Sequence, residues 1–215
     1  MGANEAYNLE MMNYSEHIGY VFGAELQFRL ASAVRLATTM GQQPLDLPVE
    51  WSHGKHKVEY KEVALREDQA EIAAAALHHS ATYLMAVAMK DAIRAARPDP
   101  KNDSNPDVVG AYQIARLIRN AFAHSPFNPI WSIDSDCRDR AFAVTDIIAL
   151  DATGLQGAAF DWRHYGGPLA LLRLSQFVRF EILGDTSTKP SDRVVPDPSQ
   201  VYYQQGSLIL RKIGD

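Results

Sequence analysis

At 215 residues, 47% hydrophobic and 22% charged, the chain has the length and composition of one sizeable globular domain, which excludes a wholly disordered protein and leaves little room for two large domains. A net charge of -5 excludes a protein that coats nucleic acid by bulk electrostatics, since that needs clustered Lys and Arg, but it leaves room for a small local site. The single cysteine, Cys137, excludes an internal disulfide framework and fits a reducing compartment; set among Asp134, Asp136, Arg138 and Asp139 with no evident His partner, it reads as a passenger.

The amino terminus, Met1 to Tyr7, lacks the basic start and apolar core of a secretory signal, and no run approaches the ~18 apolar residues of a membrane span, so a cytoplasmic protein is expected. The first periodic segment runs from about Ser15 to Met40. Ile18, Val21, Phe22, Leu26, Leu30, Ala33, Val34 and Ala37 recur there at three and four residues, with Ser15 as cap and Gly41 and Pro44 as stops. Between Leu45 and Tyr60 the periodicity breaks into a polar loop that holds His53 and His56, and Val58, Tyr60 and Val63 alternate as an extended piece. A His-x-x-His pair supplies two metal ligands at most, so no metal site is expected.

A second helix is predicted from Arg66 to Ala96, with Ala70, Ala73, Ala74, Leu77, Ala81, Leu84, Met85, Ala88 and Ile93 on a broad side and Pro98 as its stop. His78 and His79 lie within it as neighbours about 100 degrees apart, and read as core-edge or surface histidines. Residues 97 to 106, with three prolines and short polar side chains, form a linker that ends in a helix start: Asn105 as cap, Pro106 at the first helical position. Helix three runs from Pro106 to about His124.

After Pro126 come an aromatic loop, Phe127 to Trp131, and two predicted strands, Arg140 to Leu150 and Leu155 to Phe160, around a turn at Asp151 to Gly154. A last helix starts near Pro168 and ends before Gly184. Residues 185 to 200 read as a polar connector, and the tail from Val201 to Ile213 as two strands about Gln205 and Gly206. The expected fold is mainly α: a bundle of about four principal helices with one or two small hairpins. The bundle spans residues 1–184 with a hairpin inserted near 140–160, and residues 185–215 add a connector and a hairpin packed on the same domain.

On helix three, Ala111, Ile114, Leu117, Ile118, Ala121 and Phe122 converge on one side. From the centre of that stripe, Arg119 lies roughly 120 degrees one way, and Asn120 and His124 lie roughly 140 and 100 degrees the other way, so with Gln113 and Arg116 they border the polar face. About 7.5 Å of axial rise separates Arg119 from His124, within reach of a guanidinium arm. His124 falls in the final turn, where unpaired carbonyls favour a cationic imidazole. A proton-moving imidazole beside a phosphate-binding fork suits phosphodiester cleavage without a metal. Arg and His at a helix end are also common as plain dipole-complementing caps.

The run from Leu117 to His124, Leu-Ile-Arg-Asn-Ala-Phe-Ala-His, resembles the signature of the HEPN superfamily, the higher eukaryotes and prokaryotes nucleotide-binding domains. The resemblance covers the four helices in outline and leaves the hairpins and the Phe127 to Trp131 loop unexplained. It implies a metal-independent endoribonuclease with no cofactor. In that scheme His124 acts as base or acid at the ribose 2'-hydroxyl, Arg119 stabilises the phosphorane-like charge, and Asn120 orients one of them. The products carry 2',3'-cyclic phosphate ends.

A defence, stress or toxin role and a neutralising or regulatory protein partner belong to the same expectation. Toxin members often carry a tyrosine two residues after the histidine; Pro126 stands there, so toxin identity is not carried over. A homodimer is expected, because one helix face leaves an open, wet site and two faces across a twofold axis enclose a cleft. Arg116, Trp131 and His164 are candidate substrate contacts: Trp131 as a base-stacking ring or, more in keeping with indole area, a core anchor, and His164 beside Gly166 and Gly167 as a second imidazole or a helix start. Two other readings compete. One is a catalytically silent HEPN-like module that binds protein or nucleotide; the other, well behind, is a metal hydrolase built on His53, His56 and His164.

Overall fold

The structure is a computed structural model that describes residues 3–41, 50–59, 65–187, 201–204 and 207–210. Four α-helices carry it: α1 (Ala3–Thr39), α2 (Glu67–Ala96), α3 (Pro106–Ala123) and α4 (Pro168–Phe177), the last prolonged by one π-helical turn, Val178–Ile182. Two-stranded antiparallel hairpins pair β1 (Glu50–His53) with β2 (His56–Glu59), β3 (Ala141–Val144) with β4 (Ile148–Asp151), and β5 (Val201–Gln204) with β6 (Ser207–Leu210). The fold is mainly α, as the periodicities predict. The chain divides into two units, Met1–Asp185 and Thr186–Asp215, and the second holds the β5–β6 hairpin.

Helix α1 starts twelve residues before the predicted Ser15 cap, because Ala3, Glu5, Ala6, Leu9, Glu10, Met11 and Met12 are good helix formers and nothing there stops the helix. Its buried side is Val21, Ala24, Glu25, Phe28, Ala31 and Val34. Phe22, Leu26 and Leu30, read from the sequence as part of the stripe, face outward. The physical reason is size: Ala24 and Ala31 on α1, with Ala74 and Ala81 on α2, let two backbones come close, and the bulky side chains turn away.

Helix α2 opens with Gln69 reaching back to accept from the Arg66 N–H (3.2 Å) and closes at Arg97, whose extended dihedrals are those a residue before proline must adopt. Residues Asp68–Ala96 are long and apolar enough, by length and composition, to cross a membrane. Ala81, Met85, Ala86, Met89 and Ile93 are fully buried, and α2 packs against both α1 and α3.

Helix α3 is buried on most of its circumference, between α2 and the β3–β4 hairpin. Its start is fixed as predicted: the Asn105 side chain accepts from the Asp107 N–H (2.9 Å), and Pro106 occupies the first turn. Asp107 in turn accepts from the Thr145 N–H and hydroxyl, both at 2.9 Å, which ties the helix start to the hairpin turn. Replacement of Asn105 by alanine is expected to cost about 1 kcal/mol, read as a lower urea midpoint at unchanged slope.

The hairpin itself turns earlier than predicted. Phe142 pairs with Leu150 and Val144 with Ile148, around residues 145–147, where Asp146 takes a positive φ of 58 degrees. Asp tolerates that left-handed conformation, so the apolar run that looks like one long strand folds back at its centre. Phe142, Val144, Ile148 and Leu150 point inward. The segment predicted as a second strand, Leu155 to Phe160, is irregular apart from one bridge, Ala159 to Ile130. The loop around His53 and His56 is likewise a tight hairpin in which those two positions pair in the strand register on either side of the turn, where Gly54 has φ of 59 degrees. The predicted Tyr60 and Val63 lie outside the described residues.

At the end of α4 the sequence hides a buried charge. The Arg179 side chain is enclosed, donating to Glu25 (2.7 Å) and, through Nε, to Asp185 (3.0 Å), while Phe22 and Phe180 lie against its guanidinium. Glu25 also accepts from the Ser175 hydroxyl (3.1 Å). Burial pushes the Glu25 carboxyl up, against the pull of Arg179 and Ser175.

Candidate functional site

Arg119 and Asn120 are half-buried on the last turns of α3, and His124 is exposed at its end. His124 keeps helical dihedrals (φ -102, ψ -24), so the helical spacing carries through to the imidazole before Ser125 and Pro126 break it. Arg119 donates to the Asn120 Oδ1 (3.2 Å), and the Asn120 Nδ2 donates to Asp134 Oδ2 (2.9 Å). Asp134 is ion-paired with Arg116, which also grips both oxygens of Asp136 at 2.9 Å. Lys101 Nζ closes on Asp136 Oδ2 at 2.7 Å. Gln113 lies beneath, its Oε1 accepting from Arg116 (3.0 Å) and from the Cys137 thiol (3.4 Å).

The polar face of α3 therefore carries one continuous chain of hydrogen bonds and ion pairs, Lys101 to Asp136 to Arg116 to Asp134 to Asn120 to Arg119. Hydrogen bonds from Arg116 and then Lys101 hold the Asp136 carboxyl well below the usual carboxylate range, and the same contact with Asp136 raises Arg116. Burial pushes the Cys137 thiol up, away from the thiolate that nucleophilic work requires, consistent with a passenger.

Arg116 takes a different role from the substrate contact the sequence suggests, while Trp131 takes the core-anchor role, the one the sequence favours of its two. Arg116 is held by two carboxylates and is not a free cation for phosphate. Trp131 is fully buried, its indole against Phe160 (centroids 5.1 Å apart), so it is a core anchor with no face open to a base. Its Nε1 donates to His164 Nδ1 at 2.9 Å. Since an indole N–H only donates, Nδ1 is the accepting nitrogen, and a neutral His164 carries its proton on Nε2. His164 sits on the 3-10 turn Trp162–Tyr165, half-buried, bound to Trp131.

Sequence reasoning missed Asp134 and Asp136, which register there only as the surroundings of Cys137. Their signal lies in pairing: three cations on or near one polar face, Lys101, Arg116 and Arg119, call for acceptors, and the nearest acids downstream are these two. Phe127, at the start of the aromatic loop read from the sequence, is 78% exposed. That residue stands three positions after His124, in a loop closed by the Ile130 N–H on the Ala121 carbonyl (3.1 Å) and the Phe160 N–H on the Pro129 carbonyl (3.0 Å).

Comparison of the chain with protein-family models, with curated proteins and with solved structures gave no match.

Behind the helix end lies an aromatic layer. His79 packs on Phe122 and Trp162 (centroids 5.6 and 5.8 Å) beside the Pro126 carbonyl, and burial lowers its affinity for a proton. His78 is buried between Phe28 and Trp162 and shares a 3.0 Å contact with the Ser32 hydroxyl; burial pushes its imidazole down to about 4. An unfolded His78 takes up a proton near pH 6.5, whereas the folded one resists until about 4. The stability this group contributes is full above about pH 6.5 and is lost as pH falls towards 4, by roughly 3 kcal/mol in all. Urea midpoints at pH 7 and pH 4.5 should thus separate more in wild type than in His78→Gln; equal separations contradict this assignment.

Proposed function

We propose that this chain is a metal-independent endoribonuclease of the HEPN type, cytoplasmic and homodimeric, acting in defence, stress response or a toxin system, with Arg119, Asn120 and His124 as its catalytic set. The observation that carries this reading is the bracing of Arg119: its guanidinium rests on an amide that is itself fixed by Asp134, on the same helix end as an exposed imidazole. A braced, half-buried guanidinium suits an oxyanion, and the exposed imidazole suits proton transfer. The carboxylates nearby, Asp134 and Asp136, are already matched by Arg116 and Lys101, so they serve the protein's own cations.

In the proposed reaction His124 takes the proton from a ribose 2'-hydroxyl, and the 2'-oxygen forms a bond to phosphorus. The phosphorus–O5' bond breaks, and the 5'-oxygen leaves as a hydroxyl after taking a proton from a second imidazole or from water. Arg119 faces the non-bridging oxygens as charge builds on them. A second copy across a twofold axis supplies another Arg119, Asn120 and His124 and encloses the site.

A second reading, a catalytically silent HEPN-like binding module, is favoured by one observation: Arg116 is neutralised by two carboxylates, leaving the face with little spare positive charge for RNA. Purified protein incubated with mixed RNA in excess chelator separates the two. Cleavage supports the nuclease; RNA left intact supports the binding module.

A further inference from the structure

We propose that Asp134 is the positioning residue of this site: through Asn120 it sets the direction in which Arg119 presents its guanidinium. The inference rests on the nuclease reading above and adds to it a residue from outside the helix. Its ground is the polarity of the chain of contacts. An ionised carboxylate only accepts hydrogen bonds, a guanidinium only donates, and a primary amide does one at each end. Between Asp134 and Arg119 the Asn120 amide therefore has a single satisfied orientation, Nδ2 to Asp134 (2.9 Å) and Oδ1 to Arg119 (3.2 Å). The flipped amide sets a carbonyl against a carboxylate and N–H groups against a guanidinium.

Asp134 is itself fixed. Arg116, on the same helix as Asn120, ion-pairs with it, and the fork of Arg116 is held from the other side by Asp136, which Lys101 also grips. The Arg116 side chain is only 15% exposed, whereas Asp134 is 39% exposed, so the brace is sheltered at Arg116 and meets solvent at Asp134. The segment after α3 thereby takes part in the reaction without touching substrate. A long arginine arm with one NH1 contact anchored keeps its other N–H groups for phosphate and loses less freedom when it binds.

The test compares Asp134→Ala and Asp134→Asn with wild type by two readouts on the full chain. One is steady-state cleavage of RNA in chelator; the other is the side-chain amide signal of Asn120 by NMR, assigned by its loss in Asn120→Ala. In Asp134→Ala the Asn120 amide should shift to values of a solvent-exposed asparagine and kcat should fall about ten- to a hundredfold with KM within about twofold. Asp134→Asn keeps an acceptor for Asn120 but gives up the ion pair with Arg116. It should restore the amide signal and bring kcat to within about threefold of wild type.

If the ion pair alone mattered, Asp134→Asn would be as impaired as Asp134→Ala, and that result overturns the proposal. An Asn120 amide unmoved in Asp134→Ala overturns it as well, and so does equal cleavage by wild type and Asp134→Ala. A wild type that leaves RNA intact defeats the nuclease reading and with it the catalytic part of Asp134. The amide signals then still decide, on their own, whether Asp134 orients Asn120.

Discussion

His124→Ala is expected to lower RNA cleavage by about a hundred- to ten-thousandfold, the usual worth of a positioned proton-transfer group. Arg119→Ala should lower it by about a hundred- to a thousandfold, in kcat rather than KM, because the guanidinium meets its full charge partner only as the phosphorane develops. Neither loss should come from unfolding. His124 is exposed and Arg119 is half-buried at the polar edge, so unfolding free energies from urea titration should stay within about 0.5 kcal/mol of wild type, as is common for surface substitutions. Arg119→Lys discriminates further: it keeps the charge but not the fork, and should recover only part of the rate. Cleavage that persists equally in His124→Ala and Arg119→Ala would remove both residues from the reaction.

The second large effect concerns the scaffold. Gly110 on α3 lies so close to β3 that a Cβ there would stand 1.8 Å from the Ala143 carbonyl oxygen and 2.7 Å from its carbon. Both are backbone atoms of a paired strand, with no flexible side chain to swing away. In an open helix position the same change is favourable by about 1 kcal/mol, because alanine is the better helix former. Here steric exclusion wins. Gly110→Ala is expected to destabilise by about 3 kcal/mol, the upper end of overpacking effects, and to lower the thermal midpoint by about 6 to 12 °C for a chain of this size. Gly23→Ala on α1, where nothing lies within 4 Å, is the matched control and should raise the midpoint. If Gly110→Ala is neutral, α3 and β3 do not approach as described.

That contact also explains what the sequence can and cannot reveal. The cap at Asn105 and Pro106, the stop at Pro98 and the stripe of α3 are local, since each depends on residues within a turn or two of one another, and all are legible. The face of α1 is not, because Phe22, Leu26 and Leu30 satisfy helical periodicity as well as Val21, Ala24 and Phe28 do; only the alanines of α2 decide which set goes inside. The hairpin turn at Asp146 is hidden by apolar residues on both sides, and its left-handed conformation shows only in the backbone.

Within the site, Arg119, Asn120 and His124 stand out because their spacing lies in one helix. Asp134 does not, since its partners Asn120 and Arg116 are fourteen and eighteen positions away and the link exists only once the chain has turned back along α3. Trp131 and Arg116 illustrate the opposite limit. An indole and a guanidinium have the chemistry to bind RNA, and tertiary packing has used the first as a core anchor and the second as an ion-pair hub.

The ends of the cut RNA decide whether Arg119, Asn120 and His124 carry out the chemistry assigned to them. Wild-type protein incubated with a mixed RNA in excess chelator should leave 2',3'-cyclic phosphate on one fragment and a 5'-hydroxyl on the other. Cleavage that disappears with the chelator, or that leaves a 3'-hydroxyl and a 5'-phosphate, contradicts that chemistry.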